Sequence, residues 1–430
     1  MRLGGRIAAA AEVLADMAAR RRPVADALKD WGLSHRFAGS GDRAAIGNLV
    51  YDALRRKLSL GWRMGSDAPI SLVTAVLLDN WGETETSLGS KLSDDRFAPD
   101  LPDAEAFRHF RATDLNAAPL HVQADVPEWT MPLLRDMFDD DTVAECKAMT
   151  NRPPVDLRAN RLLSTAENVL ADLPRDIGAV RSAVVADAIR IPAGDKDYRQ
   201  PNIQAEPAFQ KGWFEIQDEG SQMVALLSGA KPNENVLDYC AGGGGKTLAL
   251  ASYMQNKGQI HATDSDKARL APIFERLKRA ETRNVQVHSA KSDLTALEGA
   301  MDLVLIDAPC TGAGTWRRRP DAKWRLSQSQ LDQRVIEQAA ILDKAKAFVK
   351  PGGRIAYITC SVFEAENAGQ VGRFLGANPD FKAIEPQTLI NSALPALPSD
   401  AVRLSPEGLT LTPLKSGTDG FFLSVLQKAG

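Results

Sequence analysis

Cysteine is scarce in this chain of 430 residues. There are four: Cys146, Cys240, Cys310 and Cys360. So few thiols exclude a disulfide framework in so long a chain. No CxxC pair and no neighbouring histidine marks a zinc site. The reading is of free thiols in a reducing cytoplasm, available for chemistry. Long hydrophobic runs are missing too; none reaches the roughly 18 residues of a membrane span. The N-terminal MRLGGRIAAAAEVLADMAARRR is interrupted by Glu12 and Asp16, and no cleavage site follows, which excludes a secretory or organelle leader. Internal repeats and low-complexity blocks are absent. No sign of charge dominates: the net charge is −3, with 44% hydrophobic and 25% charged residues, the composition of a soluble globular protein.

The near-neutral total hides an asymmetry. Residues 1–65 carry twelve Lys/Arg against six acids, whereas the stretch to residue 150 is acidic, with Asp139, Asp140 and Asp141 in a row. A basic segment is compatible with nucleic acid, or is a solvated helix face.

A chain of this length implies two or three domains. Residues 1–120 read as helices: RIAAAAEVLADMAARR and RAAIGNLVYDALRRKLSLGWRM place apolar residues three and four apart. Ser40 and Asp42 are candidate caps before the second. From 96 to 130, Pro, Asp and Ala accumulate as in a connector. Near 150 the character changes. NRPPVDLRANRL offers a strand after a Pro-Pro turn, STAENVLADL a capped helix and AVRSAVVADAIRI a β-rich run. Beyond 215, five β-rich runs (ENVLDYC, QIHATDSD, NVQVHSA, MDLVLIDAP, GRIAYITCS) alternate with helical stretches, and GFFLSVLQK supplies a last strand. That alternation predicts a largely parallel, doubly wound α/β sheet.

Ligands in such sheets sit beyond the carboxyl ends of the strands, so candidate site residues lie there. After the first strand, Gly242, Gly243, Gly244 and Gly245 let the backbone approach a ligand and start a helix. A Walker A loop needs a glycine where Cys240 stands, and GxGxxG fails as well. Asp264 ends the second strand, where a carboxylate accepts ribose hydroxyls or caps a helix. Asp293 follows the third, facing an adenine amine or capping the next helix. After the fourth, Pro309 stiffens the turn that carries Asp307 and Cys310. Cys360 ends the fifth. Two thiols at neighbouring strand ends suggest covalent catalysis. In TWRRRPDAKWR, five basic residues (Arg317, Arg318, Arg319, Lys323 and Arg325) lie between and beside Trp316 and Trp324. They read as a grip for phosphates and bases, or as a solvated loop.

VLDYCAGGGGKT, DAPCTGAGTWRRRPDAKW, YITCSVFEAEN and DGFFLSVLQK resemble, in order and spacing, motifs of the Sun family of RNA (cytosine-5) methyltransferases. HRFAGSGDRAAIGNLVYDALRRK is similar to the helical NusB-like domain of its bacterial ribosomal-RNA (RsmB-like) branch, and PPVDLRAN and FEIQDEGSQ to its RRM-like segment. The resemblance covers nearly the whole chain. It implies a NusB-like RNA-binding domain over 1–130, a linker and RRM-like α+β segment over 131–214 and a Rossmann-like methyltransferase domain over 215–430. It implies S-adenosylmethionine in the loop Cys240, Ala241, Gly242–Lys246, with its ribose on Asp264, its adenine on Asp293, and Asp307 between cofactor and target base. The family assigns the nucleophile to Cys360 and product release to Cys310, an order that the residues alone leave open. The implied partner is RNA, ribosomal RNA ahead of transfer RNA, bound by a cytoplasmic monomer with the target base unstacked. Two positions depart from the family: Ala-Pro is usual where Gly242-Gly243 stand, and Asp293 comes late after its strand. DNA cytosine-5 methylation through Cys310, and a non-catalytic RNA-binding assembly factor, are the alternatives.

Overall fold

The computed structural model describes residues 1–430. The chain packs as two compact units, and neither is a continuous piece of sequence. One comprises Met1–Pro153, Ala193–Pro201 and Thr315–Leu326; the other holds the remainder.

The first unit is helical. Its apolar periodicity becomes α1 (Leu3–Arg20), α2 (Val24–Ser34), α3 (Ser40–Arg55), α4 (Lys57–Met64) and α5 (Pro69–Asp79), with shorter helices following as far as Ala148. Ile7, Ala10, Val13 and Leu14 of α1 meet Ile46, Leu49, Val50 and Ala53 of α3 and Val73, Val76 and Leu77 of α5 in one core. Each fully buried aliphatic side chain contributes about 1.5–3 kcal/mol. Of the two expected caps, Asp42 works: its Oδ2 accepts the Gly39 N–H at 3.2 Å, while Ser40 is the first helical residue. The helices run past the expected boundary at 130, and Val155 opens the first strand. No helix is long and apolar enough to cross a membrane.

The second unit holds two sheets. The small one comprises β1 (Val155–Ala159), β2 (Val180–Arg181), β3 (Ala188–Ile191) and β4 (Phe214–Ile216), in the order β2-β3-β1-β4, antiparallel throughout. The large one comprises β5 (Asn235–Asp238), β6 (Gln259–Thr263), β7 (Val285–His288), β8 (Met301–Asp307), β9 (Val349–Thr359), β10 (Phe381–Ala383), β11 (Arg403–Ser405), β12 (Gly408–Leu411) and β13 (Phe421–Lys428). Its order is β11-β12-β13-β9-β8-β5-β6-β7, with β10 also on β13. The five strands expected from sequence are parallel, and β13 runs antiparallel to β9. Parallel strands covered on both faces read as unbroken apolar runs. Here Leu303, Leu305, Ala356 and Ile358 enter one core, and Val304, Ile306, Ile355 and Tyr357 the other. From β5 the chain winds first toward β7 and then, through β8, the opposite way. The switch in strand order at β5/β8 opens a crevice at the carboxyl ends.

Candidate active site

Three strands end in this crevice with an acid or a thiol. β5 ends at Asp238, which is buried. Its Oδ2 accepts the Thr247 hydroxyl at 2.6 Å, and Oδ1 has no partner. Burial, reinforced by the nearby Asp307 carboxylate, pushes the Asp238 carboxyl up to about 7. The turn that follows is closed by the Gly244 N–H on the Ala241 carbonyl at 2.9 Å. Gly244 has φ +79°, and a Cβ there would lie 2.5 Å from Ile273 Cγ1, so only glycine fits. The helix Gly245–Tyr253 starts next and carries Lys246, 5% exposed, into the crevice.

Lys246 Nζ lies 2.7 Å from Asp307 Oδ2 and 5.3 Å from the centre of the Phe421 ring. The glycine loop of β5 and the end of β8 thus meet through an ion pair. Beside it, Cys310 Sγ lies 3.4 Å from Cys360 Sγ. Pairing of β8 with β9, which sets Asp307 opposite Ile358, carries both chains out of the sheet in register. The Gly314 N–H donates to the Cys360 carbonyl at 3.0 Å. The hydrogen bond with Cys360, ahead of burial, pushes the Cys310 thiol well up. Either sulfur can donate in this contact. Burial also pushes the Cys240 thiol up, and Cys240 packs against a hydrophobic core as a small apolar residue.

The turn is fixed by a side chain absent from the expected site residues. Glu366 is fully buried; its Oε1 accepts the Thr311 N–H at 2.8 Å and its Oε2 the Thr311 hydroxyl at 2.5 Å. Gln338 Nε2 bridges Glu366 Oε1 (3.0 Å) and the Pro309 carbonyl (2.9 Å). Asn367 accepts the Thr359 hydroxyl and donates to the Ser361 carbonyl, bracketing Cys360. The signal was present, since Glu366 and Asn367 lie in the quoted run YITCSVFEAEN. Asp238 was equally visible as a strand-terminal acid.

Asp264 and Asp293 follow β6 and β7. Asp264, 2% exposed, accepts the Gly242 N–H on Oδ2 at 2.9 Å and the Asp266 N–H on Oδ1 at 2.8 Å. It supports the glycine loop and retains lone pairs for a hydroxyl. Asp293 stands five residues beyond β7, exposed, with Oδ1 accepting the Thr295 N–H at 3.0 Å. That bond holds its carboxyl below the usual range. Its contact is local capping. The basic loop needs a larger correction. Thr315–Leu326 packs in the helical unit. Arg317 and Lys323 are 4% and 2% exposed. Lys323 Nζ donates to the carbonyls of Arg55 (2.8 Å) and Asp125 (2.6 Å), and burial pulls its ammonium down to about 8. Trp316 is buried, and Trp324 Nε1 donates to the Leu54 carbonyl at 2.7 Å. Arg317 and Lys323 are interior and do not reach a phosphate. Arg319 and Arg325 are exposed, Arg325 paired with Asp321 at 2.8 Å, and Arg318 is half-buried.

Residues 225–427 match the family model described as 16S rRNA methyltransferase RsmB/F, and residues 126–194 that of the RsmF/B-like ferredoxin-like domain. A probable ribosomal RNA small subunit methyltransferase B of Synechocystis is 30% identical over 317 residues, 71% of this chain and 68% of that protein. The chain belongs to the RsmB/F family. It is an S-adenosylmethionine-dependent RNA methyltransferase, and the RRM-like expectation for the small sheet corresponds to the family's ferredoxin-like domain. The fold agrees. The crystal structure of PH0851 aligns with 99% of this chain and 98% of its own at TM-score 0.74 and 24% identity. That of NSun6 from Pyrococcus horikoshii with SFG aligns with 71% and 98% at TM-score 0.60 and 20% identity.

The crevice of this RsmB/F member fits the cofactor. The Gly244 turn leaves no room for a side chain, Asp264 has accepting capacity, and buried Asp238 Oδ1 lacks a donor.

Proposed function

We propose that this enzyme methylates carbon 5 of a cytosine in small-subunit ribosomal RNA through a covalent Cys360 adduct. The observation that carries the reading is the pair of thiols 3.4 Å apart at adjacent strand ends, beside the Lys246–Asp307 ion pair. The ribosomal substrate rests on relatives named ribosomal RNA small subunit methyltransferase B. Cys240–Lys246 would hold S-adenosylmethionine, with its ribose on Asp264.

Carbon 5 of cytosine is too weak a nucleophile to take a methyl group unaided. Addition of the Cys360 thiolate to carbon 6 forms an S–C6 bond and moves the ring electrons toward carbon 5. Bound S-adenosylmethionine supplies the electrophilic methyl. Loss of the carbon 5 proton to a base then restores the C5–C6 double bond and breaks the S–C6 bond. Cys310, with its sulfur 3.4 Å from that of Cys360, is placed to stabilise the departing sulfur. Lys246 and Asp307 place a proton donor and an acceptor at the same edge. The nucleophile must be the thiolate, and the assignment of that role to Cys360 follows the family resemblance.

Denaturing gels with cytosine-containing RNA and cofactor test the roles. Cys360→Ser should form no adduct with 5-fluorocytosine RNA, and Cys310→Ser should accumulate an adduct with ordinary RNA. The reverse pattern would exchange the two roles, and no adduct in any variant or the wild type would end the covalent mechanism.

A further inference from the structure

Gly242 and Gly243 are adjacent in the loop that follows β5. Two adjacent glycines leave a cofactor loop free to sample many shapes. The structure ties this one down from both sides. The Gly242 N–H is held by Asp264 Oδ2 at 2.9 Å. The Gly243 carbonyl accepts from Arg276 Nη1 at 2.6 Å. Arg276 lies on the helix Ile273–Arg279, and the other edge of its guanidinium faces Glu215 of β4, with Nη2 at 2.9 Å and Nε at 3.3 Å from Oε2. Glu215 is itself buried and also receives Arg279. A guanidinium is planar, always charged, and presents its donors in fixed directions. Here one edge grips a carboxylate of the small sheet while another nitrogen grips the loop backbone.

We propose that Arg276, braced by Glu215, is a positioning residue that holds the 242–245 loop in its cofactor-binding shape before any RNA arrives. The inference rests on the reading that this loop holds S-adenosylmethionine. A preordered loop loses less freedom on binding and binds more tightly. The hold on the loop comes from a hydrogen bond made 33 residues along the chain.

The test is calorimetric titration of the full chain with S-adenosylmethionine and no RNA. The wild type should bind. Arg276→Ala should raise Kd at least tenfold and raise KM for the cofactor, leaving kcat at saturation within about twofold. Arg276→Lys keeps a charge for Glu215 but cannot reach both partners, and should recover less than half of the loss on a logarithmic scale. Hydrogen exchange at the Gly244 amide should quicken in both variants. A folded Arg276→Ala or Arg276→Lys protein with wild-type Kd overturns the inference, as does wild-type binding only when RNA is added. If Arg276→Ala does not fold, Glu215→Gln decides, with Kd expected to rise at least threefold and an unchanged value counting against the brace. Asp264→Ala separates the two readings. Loss of binding there with none in the Arg276 variants sinks the brace alone. Unchanged affinity in all of them sinks the loop as the cofactor site.

Discussion

Asp238 shows how one buried atom links stability to function. Its carboxyl titrates near 7 because burial outweighs the Thr247 hydrogen bond, and Oδ1 is left without a donor. An unfolded chain releases the same proton near 3.8. Between those values the folded state holds a proton that the unfolded state has lost, so stability falls as pH rises from about 4 to 7, then levels off. The shift corresponds to roughly 4 kcal/mol, an upper figure for a group this deeply buried. Asp238→Asn keeps an acceptor for Thr247 and removes the titration. Urea denaturation followed by a probe in the Rossmann-like half should show the variant gaining about 2–4 kcal/mol on the wild type between pH 5 and 8. A pH-independent difference would mean that Asp238 stays ionised in the fold. The cofactor affinity of the same variant should drop, because a carboxylate kept without a donor in this crevice is a strained group retained for a ligand.

At the scale of elements, what the chain reveals of itself depends on how a segment is buried. The parallel strands β5–β9 are covered on both faces, so their apolar runs and terminal residues Asp307 and Cys360 stood out in the sequence. β10, β11 and β12 span three or four residues each, too short for a period to register, and went unread. TWRRRPDAKWR misled for a different reason. Composition reports charge, not depth, and nothing in a run of Arg and Lys reveals that one ammonium is spent on two backbone carbonyls. Pro320 was the available clue, since proline favours the first turn of a helix, and a helix does span Pro320–Arg325. Lys323→Ala should leave the Arg55 and Asp125 carbonyls unpaired beside a cavity, at a cost of about 2–4 kcal/mol. Amides of residues 315–326 should then exchange at least tenfold faster. The dependence of RNA affinity on salt should stay unchanged, because no phosphate contact is lost. A salt slope that falls by about one with exchange unaltered would return Lys323 to the RNA surface. Arg319→Ala, at an exposed position, is the variant expected to lower that slope.

For the whole molecule, the sequence pattern marks where composition changes, not where a segment packs. The expected boundaries at 130 and 214 follow changes of sequence character along the chain, whereas the helical unit also takes in Ala193–Pro201 and Thr315–Leu326. Long-range packing of a twelve-residue excursion leaves no periodic trace. The candidate site was legible because its residues sit at strand ends, which local pattern does encode. Glu366, Gln338 and Arg276 were not, because their roles exist only through partners 28 to 61 residues away. The same limit applies to the substrate. The proposed covalent route to a cytosine rests on the thiol pair, which does not select an RNA. On the proposed mechanism a cytosine has to leave its stack to meet Cys360, at a cost of a few kcal/mol that is least where the base is unpaired. A single accessible position is therefore expected. Bisulfite sequencing of cellular RNA, with and without the gene, should lose one protected cytosine in small-subunit ribosomal RNA and none in transfer RNA. A gene carrying Cys360→Ser should fail to restore it. Protection lost in transfer RNA instead would keep the chemistry and change the substrate, and protection restored by the serine allele would remove Cys360 from the chemistry altogether.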